Sequence, residues 1–181
     1  MKGNLLDIWN AIDPIYYKFT RLRYVTDHEQ KNTVFRVRLT RYKGNPVVLN
    51  DGTSIQKNDL LLKIHLHNAK MLKEINLVQN DLRRAVLIYH KVKYALTNLA
   101  HYVESHSKGE KIKGIIGLTS LSTGAKRLGF EVVPIRSRVY RLFKQCAFIF
   151  IHLFATKSRN NHPVYLFMSK EQLLAKYHQL I

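Results

Sequence analysis

The run from Asn58 to Leu72, which reads NDLLLKIHLHNAKML, decides the fold. Leucine and isoleucine alternate with lysine and histidine in its first half, and a period of two indicates a β-strand with one buried face. This strand places His65 and His67 on the same face. Asn68 is a good N-cap, so we expect a helix to begin at Ala69. The run therefore predicts a strand-to-helix junction that carries two histidines and an asparagine.

The residues before this run predict an antiparallel β-meander. From Thr33 to Tyr42 apolar side chains alternate with polar ones, so we expect a half-buried strand whose outer face carries Arg36 and Arg38. Two short strands and two turns follow along the chain: strands at 47–49 and 53–55, and turns at 50–52 and 57–59. Asparagine, aspartate and glycine favour these turns because they tolerate positive φ.

The residues after the run predict helices and further strands that cover the sheet. Apolar residues follow the helical period from Asn80 to Ser105, which indicates the longest helix. The other expected elements are helices at 3–20, 123–128, 138–155 and 170–181, the last capped by Ser169, and strands at 112–119, 130–135 and 163–168. We expect the segment 112–135 to form a short crossover between parallel strands.

Together these elements predict a single domain over residues 1–181 of the α/β (mixed α+β) class. Its single mixed sheet has five or six strands, includes the antiparallel meander and is flanked by helices.

The charge of the chain indicates an anionic partner. The chain contains thirty lysines and arginines and twelve aspartates and glutamates, which gives a formal net charge of +18. Such a surface attracts an anionic polymer or an acidic phospholipid surface. The segment 15–23 combines aromatic and basic residues, which is typical of an interfacial anchor or of a helix packed on a core. No recognised nucleic-acid-binding motif is present, so nucleic acid is not an expected partner, and the sequence indicates no oligomeric state.

Cysteine usage and hydropathy predict a cytoplasmic protein. Cys146 is the single cysteine, which excludes an intrachain disulfide and fits a reducing compartment. Asp7 and Asp13 interrupt any apolar segment near the N-terminus, so we expect no signal peptide. The longest apolar run, 146–155, is shorter than the roughly 20 residues that a membrane span needs. We therefore expect any membrane association to be peripheral, at the inner face.

His65, His67 and Asn68 form the candidate catalytic site, and three interpretations of them are open. As metal ligands the histidines need a third donor, and the sequence does not select Asp51, Asp59 or another histidine, so we expect neither a metal nor another cofactor. As a general acid or base, one histidine acts while Asn68 or a backbone amide holds an oxyanion. As structural residues, the histidines bond to neighbouring strands and Asn68 starts a helix.

A second set of residues is expected to bind ligand beside this site: Arg36, Arg38, Asp51, Asp59, Ser120, Ser122 and Thr123. The last three lie in the run GLTSLSTG at 117–124, whose backbone amides are candidates to face a phosphate or carboxylate. An ordinary strand-to-helix turn is the alternative interpretation. The phosphate-binding lysine motif and the G-x-G-x-x-G dinucleotide motif are both absent from the sequence.

Several segments carry a family resemblance: DGTSIQKNDLLLKIHLHN at 51–68, RLGFEV at 127–132, YLFMSKEQLLAKY at 165–177, DPIYY at 13–17 and VFRVRLTRYKG at 34–44. In this order and spacing they resemble the YkoP-like domain family of Bacillus and its relatives over nearly the whole chain. Similar domains occur alone and fused behind polysaccharide deacetylase domains. The resemblance therefore implies a link to envelope polysaccharide metabolism and a polysaccharide-modifying enzyme as partner. The metal-binding motifs of the deacetylase domain in those fusion proteins have no counterpart in this sequence.

Two functions follow from the sequence. The leading prediction is an accessory binding module, linked to envelope polysaccharide metabolism and to an anionic membrane surface. The alternative is a transferase that acts on an envelope glycan or a lipid-linked precursor through His65, His67 and Asn68.

Overall fold

The computed structural model describes residues 22–67, 71, 74, 75, 77–119, 124–135 and 164–178. The strands in these ranges are β1 (Arg23–Thr26), β2 (Asn32–Arg41), β3 (Val47–Val48), β4 (Ser54–Ile55), β5 (Leu60–Leu66), β6 (Gly114–Thr119), β7 (Glu131–Pro134) and β8 (Val164–Ser169). Helix α1 spans Asp81–Ser105, helix α2 spans Lys170–Tyr177, and a 3-10 helix spans Gly109–Lys111.

Some sequence-based expectations lie outside the described residues: the helices at 3–20 and 138–155, Asn68 with the helix start at Ala69, and Ser120, Ser122 and Thr123. Three described residues follow β5 closely, namely Met71, Glu74 and Ile75, and all three are helical. Their conformation agrees with a helix after the β5 strand, as the sequence predicts.

Six strands form one mixed sheet in the order β1-β2-β5-β6-β8-β7. Four of the neighbouring pairs are antiparallel, and β5 pairs with β6 in parallel. The strand predicted over 33–42 is β2, and the strand in the run NDLLLKIHLHNAKML is β5. The mixed α+β class and the six-stranded sheet are confirmed.

The meander differs from the expectation in one respect. Strands β3 and β4 form a separate two-stranded sheet instead of joining the main one. The predicted turns are present, and Gly52 and Asn58 have φ of +85° and +73°. Leu49 and Ile55 of this hairpin are buried against the main sheet together with Leu61. The hairpin therefore lies over the sheet because burying its apolar residues there outweighs extending the sheet edge.

The 112–135 segment also differs from the expected crossover. Strands β6 and β7 both pair antiparallel with β8, so they run in the same direction with β8 between them. The described part of the helix expected at 123–128 forms turns instead, and Gly124 and Gly129 have φ of +83° and +90°. The predicted left-handed residue at Gly129 is confirmed, and the positive φ of Gly124 keeps that residue out of a right-handed helix.

Helices α1 and α2 begin where the sequence predicts. Asn80 caps α1 by accepting a hydrogen bond from the Arg83 N–H at 3.1 Å. Ser169 caps α2 by accepting from the Gln172 N–H at 2.9 Å. Each cap satisfies a backbone donor that the first turn of a helix leaves unpaired.

The main sheet buries apolar residues on both faces. Val37, Leu62 and Ile64 pack toward α1 in the larger core, which the C-terminal half of that helix covers. Leu61 and Phe167 point the other way and pack under the β3–β4 hairpin. Within the described ranges, helices long and apolar enough to cross a membrane are absent.

Candidate functional site

The sheet register brings the predicted arginines beside the predicted histidines. Arg36 of β2 lies opposite His65 of β5, and Arg38 lies opposite Lys63. Tyr24 of β1 lies opposite Arg36 on the other side. Directly opposite residues share a face, and this face points away from α1. We call Tyr24, Arg36, Arg38, Lys63, His65 and His67 the basic strip.

Tyr24 holds the centre of the basic strip together. Nη2 of Arg36 donates a hydrogen bond to Oη of Tyr24 at 2.6 Å, and the guanidinium carbon lies 4.8 Å from the tyrosine ring centroid. Oη of Tyr24 and Nδ1 of His67 are 3.4 Å apart, and the two rings meet edge to face at 5.6 Å. Arg36 is only 4% exposed. These contacts favour a structural role for Arg36 and His67.

The neighbouring polar atoms of the basic strip are also enclosed. His65 is half-buried, and its Nε2 is inaccessible to solvent, as is Nε of Arg38. The backbone N–H of His67 donates to the carbonyl of Val34 at 2.8 Å, which extends the pairing of β5 with β2 by one residue. Asn68 lies outside the described residues, so the three predicted catalytic residues stay a prediction as a set.

Asp51 and Asp59 lie at the opposite end of β5 from the histidines. Asp59 precedes the strand, about 20 Å of extended chain from His65. Its carboxylate accepts from the Gln56 N–H at 2.7 Å and pairs with Lys113 Nζ at 3.0 Å. Burial raises the pKa of Asp59, but these partners outweigh that effect and leave it lowered.

The Asp51 carboxylate ties the β3–β4 hairpin to β8. It accepts hydrogen bonds from the Ser169 hydroxyl and from the Thr53 N–H, the latter at 2.9 Å. Burial raises the pKa of Asp51, and these hydrogen bonds outweigh it, so the pKa lies below its ordinary value of 3.8. The structure therefore gives both aspartates local partners and does not bring them to His65 and His67.

The structure assembles a second histidine group that the sequence analysis did not single out. His101 and Glu104 lie one turn apart on α1, and His178 follows α2. Nε2 of His178 is 2.6 Å from Oε2 of Glu104, and the two imidazole centroids are 4.9 Å apart. We call these three residues the α1–α2 cluster. The spacing H-x-x-E was a visible signal for its first two members, because it puts both on one helix face.

A third feature is a set of three exposed apolar side chains at the start of α1 or shortly before it, which we call the apolar patch. Leu77, Leu82 and Val86 are 84%, 74% and 48% exposed. Leu82 and Val86 are four residues apart and lie on the same helix face, next to the exposed side chain of Arg83. Large apolar side chains grouped on a surface mark interaction sites more often than isolated ones do.

The described residues thus define a basic α+β domain with a two-sided mixed sheet, a buried arginine–tyrosine–histidine contact and an exposed apolar helix start. The chain belongs to the YkoP domain family, because the model of that family matches residues 2–177. It is 47% identical over 181 residues to a Bacillus subtilis (strain 168) protein described as "Uncharacterized protein YkoP", with 98% of each chain covered. No solved structure matches the chain.

Proposed function

We propose that the protein is a binding module that associates peripherally with an anionic membrane surface through the start of α1. The observation that carries the proposal is the apolar patch of Leu77, Leu82 and Val86 on a chain with a net charge of +18. Helical periodicity places Lys93 on the same face as Leu82 and Val86, and both Arg83 and Lys93 are exposed. Apolar residues with a cationic border match an acidic phospholipid surface.

The expected binding free energies indicate why both the apolar patch and the cationic side chains are needed for membrane binding. Removing three exposed leucine and valine side chains from water contributes on the order of 4 kcal/mol. Each lysine or arginine near an anionic membrane contributes about 1 kcal/mol. An affinity in the micromolar range corresponds to about 8 kcal/mol, so neither the apolar patch nor a few cations supply it alone.

The family resemblance extends the proposal to a cellular role. The resemblance implies similar domains fused behind polysaccharide deacetylase domains, and such fusions support a module that works beside an enzyme modifying envelope polysaccharide. The basic surface then serves an anionic envelope polymer or the membrane itself by the same charge attraction. The apolar patch favours the membrane, because a hydrated polymer offers no hydrocarbon layer to receive leucine side chains.

Co-sedimentation with vesicles tests this proposal. We expect the protein to bind vesicles that contain phosphatidylglycerol, to bind weakly to neutral phosphatidylcholine vesicles, and to dissociate as salt rises. The double substitution Leu82→Ser and Val86→Ser should weaken binding to the anionic vesicles at least tenfold. The matched control is Val48→Ser, because Val48 is 69% exposed on the distant β3–β4 hairpin and should have no effect.

Two results count against the proposal. Equal binding to neutral and anionic vesicles would show that electrostatic attraction does not contribute to membrane binding. Unchanged vesicle binding of the Leu82 and Val86 double variant would show that the apolar patch is not the membrane contact surface. Circular dichroism of each variant confirms that it is folded.

The alternative is a transferase acting on an envelope glycan or a lipid-linked precursor through His65, His67 and Asn68. The proximity of a phenol, a guanidinium and an imidazole at Tyr24, Arg36 and His67 is the feature in its favour. Under this alternative, His67→Ala abolishes glycan transfer and leaves the melting temperature unchanged. A large loss of melting temperature instead identifies His67 as a structural residue.

A further inference from the structure

The α1–α2 cluster is held by well-packed backbone. The final turn of α2 is fixed by Tyr177, which is buried and whose hydroxyl donates to the Leu128 carbonyl at 2.8 Å. His178 follows it with helical backbone, and its N–H donates to the Leu174 carbonyl at 3.0 Å. The α1 residues of the cluster lie beside Val103, which is fully buried. The positions of the three side chains are therefore set by two docked helices rather than by a loop.

The donor atoms lie close to the spacing of a metal site. One ligand atom from each of His101, Glu104 and His178 lies within 4.8 Å of the others. Ligand atoms about 2.0–2.2 Å from a tetrahedral metal ion are about 3.4 Å from one another. Nε2 of His178 and Oε2 of Glu104 are 2.6 Å apart, so metal binding would move these two atoms slightly apart. Ligand atoms of the cluster as far as 4.8 Å from one another would have to approach by roughly 1.4 Å. The side chains of Glu104 and His178 are both partly exposed, so torsional adjustment is available to them.

His101 supplies an independent observation. Its Nε2 is buried and has no hydrogen-bond partner among the residues that the structure describes. A buried polar atom without a partner costs about 1–3 kcal/mol, so such an atom in a native fold calls for an explanation. A metal ion bound at this nitrogen would satisfy it.

We propose that His101, Glu104 and His178 bind one divalent transition-metal ion, for which Zn²⁺ is the best match. Two imidazole nitrogens and one carboxylate are a recognised donor set for zinc with an open fourth position. Magnesium and calcium prefer sites built only from oxygen donors, so they should compete weakly. Bound metal would join the end of α1 to the end of α2.

This site is independent of the proposed membrane contact. Leu82 and His101 lie near opposite ends of α1, about 28 Å apart along the helix axis. A variant of one site should therefore leave the other function intact.

Equilibrium dialysis and titration calorimetry with Zn²⁺, using the full chain without a histidine tag, test the proposal. We expect one zinc ion per chain and at least a hundredfold weaker binding of Mg²⁺. His101→Ala, Glu104→Gln and His178→Ala should each weaken zinc binding at least tenfold. The control His90→Ala removes an exposed histidine of the same helix and should change the affinity less than twofold.

Cobalt substitution adds a readout of the ligand geometry. Co²⁺ bound by the three residues should give the intense visible absorption of a four-coordinate ion, and Glu104→Gln should diminish it. Glu104→Gln decides the matter if a histidine variant fails to fold, because it preserves the shape of an exposed side chain. Wild-type zinc affinity in folded Glu104→Gln and His178→Ala overturns the proposal. Absence of zinc binding to the wild-type chain also overturns the proposal, and the α1–α2 cluster is then only an ion pair between Glu104 and His178.

Discussion

The two histidine groups of this protein differ in how their members come together. His65 and His67 are neighbours in the sequence and lie in the basic strip. His101 and His178 are far apart in the sequence and meet where α1 and α2 pack. In the pair that is conspicuous in the sequence, His67 contacts the Tyr24 hydroxyl, whereas in the inconspicuous pair His178 lies beside the Glu104 carboxylate. Closeness in sequence is thus a poor guide to which histidines form a site.

The neighbouring charges explain the difference in chemistry. Arg36 lies opposite His65, and a guanidinium disfavours the approach of a metal cation. Glu104 lies against His178, and a carboxylate favours a metal cation at the same distance. We therefore expect substitutions in the basic strip to change stability and leave zinc binding intact. Substitutions in the α1–α2 cluster should weaken zinc binding and leave the stability of the metal-free protein nearly unchanged.

Arg36→Ala should give the largest effect of this comparison on stability. It removes a buried side chain and leaves the Tyr24 hydroxyl without the donor at 2.6 Å, for an expected loss of about 3 kcal/mol in the free energy of unfolding. Urea denaturation measures this loss. Tyr24→Phe, which keeps the ring and removes the hydroxyl alone, should cost a smaller amount, about 1 kcal/mol.

A loss below about 0.5 kcal/mol for Arg36→Ala would contradict the structural role of the basic strip, since such a value is typical of a surface substitution. Zinc affinity measured on the same variants should match that of the wild type.

Asp51→Asn should have a moderate effect that depends on pH. The folded pKa of Asp51 is lowered, so the unfolded state binds more protons near the ordinary value of 3.8. The ionised carboxylate therefore stabilises the fold at neutral pH, and this contribution is lost as pH falls below about 4. The variant should be less stable at pH 7 and should lose less stability between pH 5 and pH 3.

Parallel melting curves across that range, for the wild type and Asp51→Asn, measure the difference. If the two proteins lose stability equally on acidification, the carboxylate does not anchor the hairpin to Ser169.

Glu104→Gln should have the smallest effect on the stability of the metal-free protein. Glu104 and His178 form a partly exposed pair, and such pairs contribute about 0–1 kcal/mol. We expect a change below about 0.5 kcal/mol in the presence of a chelator. Added zinc should raise the melting temperature of the wild type more than that of the variant. A large loss of stability without metal would identify the α1–α2 cluster as structural, like the basic strip.

Much of the secondary structure follows from local patterns. The alternation around Arg36 and Arg38 gives β2, the helical period gives α1, and the caps at Asn80 and Ser169 start the two helices at the expected residues. Each of these signals depends on residues within a few positions of one another, so the sequence contains all the information needed.

Contacts between distant elements were not predictable in the same way. The separate β3–β4 hairpin and the insertion of β8 between β6 and β7 depend on which surfaces bury most apolar area. The partners of Asp51 and Asp59 follow from that arrangement, which is why the sequence could not select either residue as a third ligand for His65 and His67.

The sequence alone determined the family, the mixed α+β class, the net positive charge and the strand that carries His65 and His67. It did not single out His101, Glu104 or His178. Only the tertiary structure decided that His101, Glu104 and His178 come together and that Tyr24 contacts both Arg36 and His67. The physical reason is that periodicity is local to one element, whereas a site depends on how separate elements pack. That packing is set by the whole buried surface and not by any one stretch of residues.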